Sequence, residues 1–217
     1  MTGLLKSREA LLCLVIAVMT ALIALRFPGF VAPANLASVF NDTAPLIILA
    51  PGQMCVILTK SIDLSVAAGL ALCGMTAALM NGAGVPLVVI VPAVTVLGAL
   101  LGAVNGILVW KLDIPSIVVT LGTMTIYRGI IFLMTDGKWV NAHEMTDGFK
   151  ALPRHVIFGL PVMSWIALTI IVAFVVLLTR SPIGRAFYAV GGNPHAAVYA
   201  GIDVGRTKFI LFVLSGA

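Results

Sequence analysis

Six apolar runs follow one another along the 217-residue chain, at residues 10–25, 44–59, 66–80, 87–110, 114–134 and 164–179, and a seventh opens at 209–217. Charge, proline, glycine or short polar tracts separate them. Hydrocarbon offers no partner to a free peptide group, so a run of this kind has to satisfy its backbone internally, as a helix. Crossing a bilayer takes about 20 residues at ~1.5 Å of rise each. The composition agrees: 61% of the residues are hydrophobic and 10% charged, where a soluble domain carries about 25% charged residues. The sequence therefore specifies an all-α fold, a polytopic transmembrane helical bundle forming one domain over 1–217.

The runs differ in instructive ways. Lys6 and Arg8 precede the first, Arg26 closes it, and Ala32-Pro33-Ala34 follows at a distance. That small-residue tract lies too far beyond the apolar stretch for a secretory cleavage site, so a retained signal-anchor helix is expected. Pro45, Pro51 and Gly52 interrupt the second run. Proline removes an intrahelical hydrogen bond, and a kinked or partly unwound helix is expected there. The nine residues from Phe209 to Ala217 are too few to span, so the chain reads as an N-terminal portion, truncated at its C-terminal end.

Lysine and arginine orient such a bundle. With the N-terminus in the cytoplasm, Lys6, Arg8, Lys60, Lys111, Arg180, Arg185, Arg206 and Lys208 lie inside, and Arg26, Lys138, Lys150 and Arg154 outside. Eight against four is the positive-inside pattern. The net charge of +5 is scattered over segment ends rather than gathered on one face, which argues against a nucleic-acid partner. The long outer segment 135–162, with Trp139 inside it and Trp165 just beyond, is open to three readings. It can form an interfacial helix, a surface for an external partner, or an irregular loop.

Within the runs, Gly98, Gly102 and Gly106 recur every four residues and make a stripe that lets another helix approach closely. Ser65, Gly69, Cys73 and Ala77 make a similar stripe, and tight helix packing is expected of both. Arg128 is the one ionisable residue deep in a run, which makes it a candidate for the translocation path, although it stands near enough to Thr135 to snorkel outward. Gln53, Asn105, Thr123 and Tyr127 are further path candidates, with Thr120 and Thr125 at similar depth. Uncharged hydrogen-bonding groups suit the passage of a hydroxyl-rich solute, and they equally suit bonding between helices. Asp63 follows Lys60, and an ion pair or a helix N-cap accounts for it.

Catalytic chemistry is not indicated. Cys13, Cys55 and Cys73 fall in apolar runs without metal-ligand spacing, and His143, His155 and His195 share no ligand pattern, so no metal site is expected. No Ser-His or paired-carboxylate arrangement suggests a hydrolase, and no G-x-x-x-x-G-K-[ST] tract offers to cradle a nucleotide phosphate.

Between the sixth and seventh runs lies a basic loop, 180–208. Its centre spells a short capped helix: Asn193 suits the N-cap, Pro194 the first helical position, and Gly201 the left-handed stop. A capped helix held in a cytoplasmic loop is a shape that a soluble partner can grip, and helices of this size also merely cover helix ends.

Ser61-Ile62-Asp63-Leu64-Ser65-Val66, Gly102-Ala103-Val104-Asn105-Gly106 with Ile114-Pro115, Thr120-Leu121-Gly122 through Tyr127-Arg128-Gly129, and the loop from Gly184-Arg185 through Gly192-Asn193-Pro194 to Gly201-Ile202 belong together. In combination they resemble the branch of ATP-binding-cassette (ABC) importer permeases that carries ribose and related sugars, from about residue 35 to the end. Lys60-Ser61 stands where that family usually has a glycine pair, and Ala67-Ala68 where it usually has glycine. The tract Gly137-Lys138-Trp139-Val140 resembles the rhamnose and furanose quorum-signal members.

The resemblance implies a bacterial inner-membrane permease subunit that is itself no enzyme and binds no cofactor. ATP and Mg would sit on separate ABC ATPase subunits, gripped through Gly192, Asn193, Pro194, His195, Ala196, Ala197 and Gly201. A second permease subunit, identical or not, and a periplasmic sugar-binding protein complete the implied assembly. An ion-coupled secondary transporter or a non-transporting membrane scaffold is the alternative.

Overall fold

The computed structural model describes residues 8–138 and 140–217. Lys6 and Trp139 fall outside them, so the N-terminal charge expectation at Lys6 and the Trp139 part of the outer segment have no structural counterpart here. The helices are α1 (Arg8–Arg26), α2 (Pro33–Leu58), α3 (Val66–Gly82), α4 (Leu87–Lys111), α5 (Ser116–Thr135), α6 (Asp147–Ala151), α7 (Val162–Arg180), α8 (Pro182–Gly192), α9 (Pro194–Tyr199) and α10 (Val204–Gly216). Between α6 and α7, β1 (Val156–Ile157) pairs antiparallel with β2 (Leu160–Pro161). Helices α2, α4, α5 and α7 are long and apolar enough to cross a membrane, and α3 and the 10–26 part of α1 are shorter apolar helices.

Three boundaries depart from the sequence expectation. Helix α2 starts at Pro33, well before residue 44, because polar Asn41, Asp42 and Thr43 sit inside it. It also runs unbroken through Pro45 and Pro51, each proline removing only one amide from an otherwise intact ladder. The basic loop 180–208 holds a whole extra helix, α8, started by Ser181, whose Oγ accepts from Gly184 N at 3.0 Å. Helix α10 begins at Val204, not 209, because Asp203 Oδ1 accepts from Arg206 N at 2.8 Å and caps a polar first turn.

Packing organises around α4, whose most extensive partner is α10. A Cβ at Gly102 would run into the Phe212 carbonyl, one at Gly98 into that of Gly216, and one at Gly106 into Phe209. The glycine stripe thus brings two backbones into contact. The main apolar cluster gathers Cys55, Val56, Val109, Val119, Leu178, Phe187, Leu211 and Phe212 from six helices. Val88, Leu100, Ile126, Leu133, Val172 and Val175 are exposed on the outside of the bundle, as a lipid-facing surface requires. Helix α1 lies apart, its Leu11, Ile16 and Leu22 exposed and its main contacts made with the turn that follows it.

At the end of the bundle opposite α8 and α9 along α7, Asn81 and Thr146 clasp: Thr146 N donates to Asn81 Oδ1 at 2.8 Å, and Asn81 Nδ2 donates to Thr146 Oγ1 at 3.1 Å. Lys150 Nζ lies 2.9 Å from Asp147 Oδ1 and holds that exposed carboxyl below the usual carboxylate range. Trp165 Nε1 donates to Ile157 O at 2.9 Å, fixing the hairpin to α7.

Candidate functional site

A polar thread crosses the inside of the bundle. Thr123 Oγ1 on α5 donates to Asn105 Oδ1 on α4 at 2.7 Å. Asn105 Nδ2 donates to Ser65 Oγ at 2.8 Å, and Ser65 donates through both its amide (2.8 Å) and its hydroxyl (2.6 Å) to Asp63 Oδ1. Thr123, Asn105 and Ser65 are all buried. Every donor in the row faces towards the Asp63 carboxylate, so each buried polar group is satisfied in one direction.

The segment bearing Asp63 is pinned at several points. Ile62 N donates to Ser116 Oγ at 3.0 Å, and Thr120 Oγ1 donates to Ile62 O at 3.2 Å, tying it to the first turns of α5. Lys60 takes the left-handed conformation (φ 56°) where the helix turns out of α2. It stands at one of the two positions where the resembled family usually has glycine, and its backbone conformation is the one that glycine favours. Asp63 Oδ1 on Ser65 N is an Asx-turn, and no ion pair joins Asp63 to Lys60 among the described residues.

Beside this thread lies a cavity of about 480 Å³. Its wall includes Asp63, Ser65, Asn105 and Tyr127 among apolar side chains of α2, α3, α4, α7 and α10. Tyr127 is buried and its hydroxyl donates to Leu101 O at 2.9 Å. Ser65, Gly69 and Cys73 also face this space, and nothing stands within 4 Å of a Cβ placed on Gly69. Gly98 and Gly102 border the same cavity, but the α4 stripe also seats the α10 backbone, whereas Gly69 on α3 has no such neighbour.

The path candidates separate. Asn105 and Tyr127 line the cavity, and Thr123 stands one hydrogen bond behind Asn105. Gln53 Nε2 donates to Ser215 Oγ at 3.3 Å, and Ser215 lines the cavity. Arg128 is exposed, is not part of the cavity wall, and occupies the face of α5 next to that of Tyr127. Sequence reasoning passed over Asp63 and Ser65 as site residues. Their signal was the Asp-x-Ser spacing just ahead of a helix, which aims one acceptor at two donors of one residue.

At the α8–α9 end, Asn193 Oδ1 accepts from His195 N at 3.0 Å and from Ala196 N at 3.2 Å. Gly201 takes φ 80° after the helix. Ala197 is buried, whereas His195, Ala196, Val198 and Tyr199 are exposed, Tyr199 at 93%. The last turn of α8 is locked to α2: a Cβ at Gly191 would strike the Leu58 carbonyl, and Lys60 Nζ donates to Gly192 O at 3.3 Å. Among the described residues no group of three or more His, Cys, Asp or Glu side chains is placed to hold a metal ion.

Known proteins resemble this chain over most of its length. The autoinducer 2 import system permease protein LsrC of Klebsiella pneumoniae subsp. pneumoniae is 38% identical over 217 residues, covering 100% of this chain and 62% of that protein. The ribose import permease protein RbsC of Haemophilus influenzae is 34% identical over 201 residues, covering 92% and 62% respectively. The LsrC protein of Enterobacter sp. is 36% identical, again with 100% of this chain and 62% of the relative covered. The chain thus spans 62% of the length of these relatives. No solved structure matches. The family model described as "Branched-chain amino acid transport system / permease component" matches residues 35–217, from the first turn of α2 to the last residue, and the chain belongs to that family.

Proposed function

We propose that the chain is part of a transmembrane permease subunit of an ATP-driven importer that passes a neutral monosaccharide across the bacterial inner membrane. The energy comes from a separate ATPase that grips α9, and the solute arrives on a periplasmic binding protein. The N-terminus lies in the cytoplasm, and a second permease subunit completes the passage. The family membership and the import roles named for the ribose and autoinducer 2 relatives support this reading. The observation that carries it is α9: an amide-capped, six-residue helix that offers exposed Val198 and Tyr199 to a partner while its own Ala197 is anchored in the bundle. The cavity supports the carbohydrate class, since Asp63, Ser65, Asn105 and Tyr127 bring polar groups to a largely apolar wall.

Deoxy-sugars such as rhamnose, ribose-like pentoses and furanose signals are the cargoes to try. The test is ATP hydrolysis by the reconstituted full-length complex, with its binding protein loaded with each sugar in turn. Stimulation by one neutral sugar is expected. Stimulation by amino acids alone, or uptake driven by an ion gradient without ATP, would overturn the reading.

A further inference from the structure

Among the described residues, Asp63 contributes the one charged side chain to the wall of the 480 Å³ cavity. Its Oδ1 is occupied by the amide and hydroxyl of Ser65, at 2.8 and 2.6 Å. Its second oxygen has no hydrogen-bond partner and no cation among the described residues, and the side chain is half-buried. An ionised carboxylate is acceptor-only, so its second oxygen stays available to a donor from outside the chain. The hydroxyl of a neutral polyol is such a donor, and hydrogen bonds to a carboxylate are roughly twice as strong as those between neutral groups. A sugar acid or sugar phosphate would instead meet like charge in a confined, largely apolar space.

The position suits a selecting group. Asn105 lies six residues from Lys111 at the end of α4, about 9 Å along the helix, and Ser65 and Asp63 lie beside it. The thread from Thr123 holds the carboxylate in one orientation, leaving the free oxygen as the acceptor. We propose that Asp63 Oδ2 is a hydroxyl-binding subsite at this end of the cavity, taking neutral polyols and rejecting anionic ones. The inference rests on the importer reading and specifies the chemistry of its passage.

Cys73 provides the reporter, because it lines the same cavity and is partly accessible. In full-length protein with every cysteine except Cys73 replaced by serine, alkylation of Cys73 by N-ethylmaleimide is followed by intact mass, with L-rhamnose or gluconate as competitor. Rhamnose is expected to slow alkylation and gluconate to leave it unchanged. Asp63→Asn keeps an oxygen for Ser65, so the turn persists, and each variant's protection is read against its own rate without competitor. The rhamnose concentration giving half-protection should rise about tenfold in Asp63→Asn, the loss of one charge-assisted bond, and gluconate should begin to protect.

Equal rhamnose protection with and without Asp63→Asn, or gluconate protection in the parent protein, would overturn the subsite. So would rhamnose failing to protect at all. If Asp63→Asn does not fold, Asp63→Ser, which keeps a turn-forming hydroxyl, replaces it, and the same two outcomes decide. The ATPase assay above is independent of Cys73. Stimulation there combined with any overturning result here removes the subsite and leaves the importer standing, whereas the reverse pattern removes the importer.

Discussion

The Thr123 hydroxyl lies 2.7 Å from Asn105 Oδ1, a hydrogen bond that joins α5 to α4 inside the bundle. Asn105 is the hinge of this thread, since it accepts from Thr123 and donates to Ser65. Asn105→Ala removes two buried hydrogen bonds, those to Thr123 and Ser65, and should cost about 2 kcal/mol. Thr123→Val removes one bond and should cost about 1 kcal/mol or less, the usual scale between membrane helices. Thermal unfolding in detergent followed by circular dichroism orders the two. A larger loss for Thr123→Val would contradict the arrangement.

Gly102 and Gly122 make a matched pair of tests. An added methyl at Gly102 would meet the Phe212 carbonyl, whereas nothing lies within 4 Å of one at Gly122. Gly102→Ala should destabilise by about 1–3 kcal/mol through overpacking. Gly122→Ala should leave the melting midpoint level or slightly raised. Equal midpoints for the two variants would mean that α10 does not seat on the α4 stripe.

Lys60 pays a conformational penalty that glycine would not. Its φ of 56° is left-handed, and its side chain makes one exposed contact, to Gly192 O at 3.3 Å. Lys60→Gly should therefore stabilise by about 1 kcal/mol, the cost of a non-glycine residue in that region. Lys60→Ala, which keeps the Cβ and loses the contact, should not. A midpoint lower for the glycine variant than for the alanine variant would contradict this.

The same sequence spacing acquired different neighbours on α3 and α4, and that limit is physical. Small residues every fourth position permit close approach, but only the seat of α10 decides that Gly98 and Gly102, which border the cavity as Gly69 does, meet a backbone while Gly69 meets none. Tyr127 and Arg128 are neighbours that helix geometry points about 100° apart, and packing decides that Tyr127 is the buried one. Local chemistry was legible: Asn193, Pro194 and Gly201 cap and stop α9 through contacts made within a few residues. Helix α8 was less so: Ser181 and Pro182 mark its start, but Gly184 and Gly191 lower helix propensity, and the contact of Gly191 with Leu58 on α2 is not local.

Topology has a direct chemical test. In a cysteine-free background, Gly148→Cys and Tyr199→Cys place exposed thiols at the two ends of α7. Gly205 is unsuitable for such a label, because a side chain there would collide with Trp110. A membrane-impermeant maleimide added to intact cells' outer face should modify Cys at 148 and spare Cys at 199. Modification of both from one side would overturn the orientation.

The central claim is that an ATPase on another chain drives this permease through α9, and the most direct measurement is substrate-stimulated ATP hydrolysis by the full-length reconstituted complex. Ala196 is exposed and can be changed without disturbing the bundle, unlike buried Ala197. Ala196→Glu and Tyr199→Glu should each reduce stimulation at least about tenfold, in line with the loss of a central interface contact. Melting midpoints should stay at the parent value. Full stimulation in both variants, with the complex intact, would contradict the account.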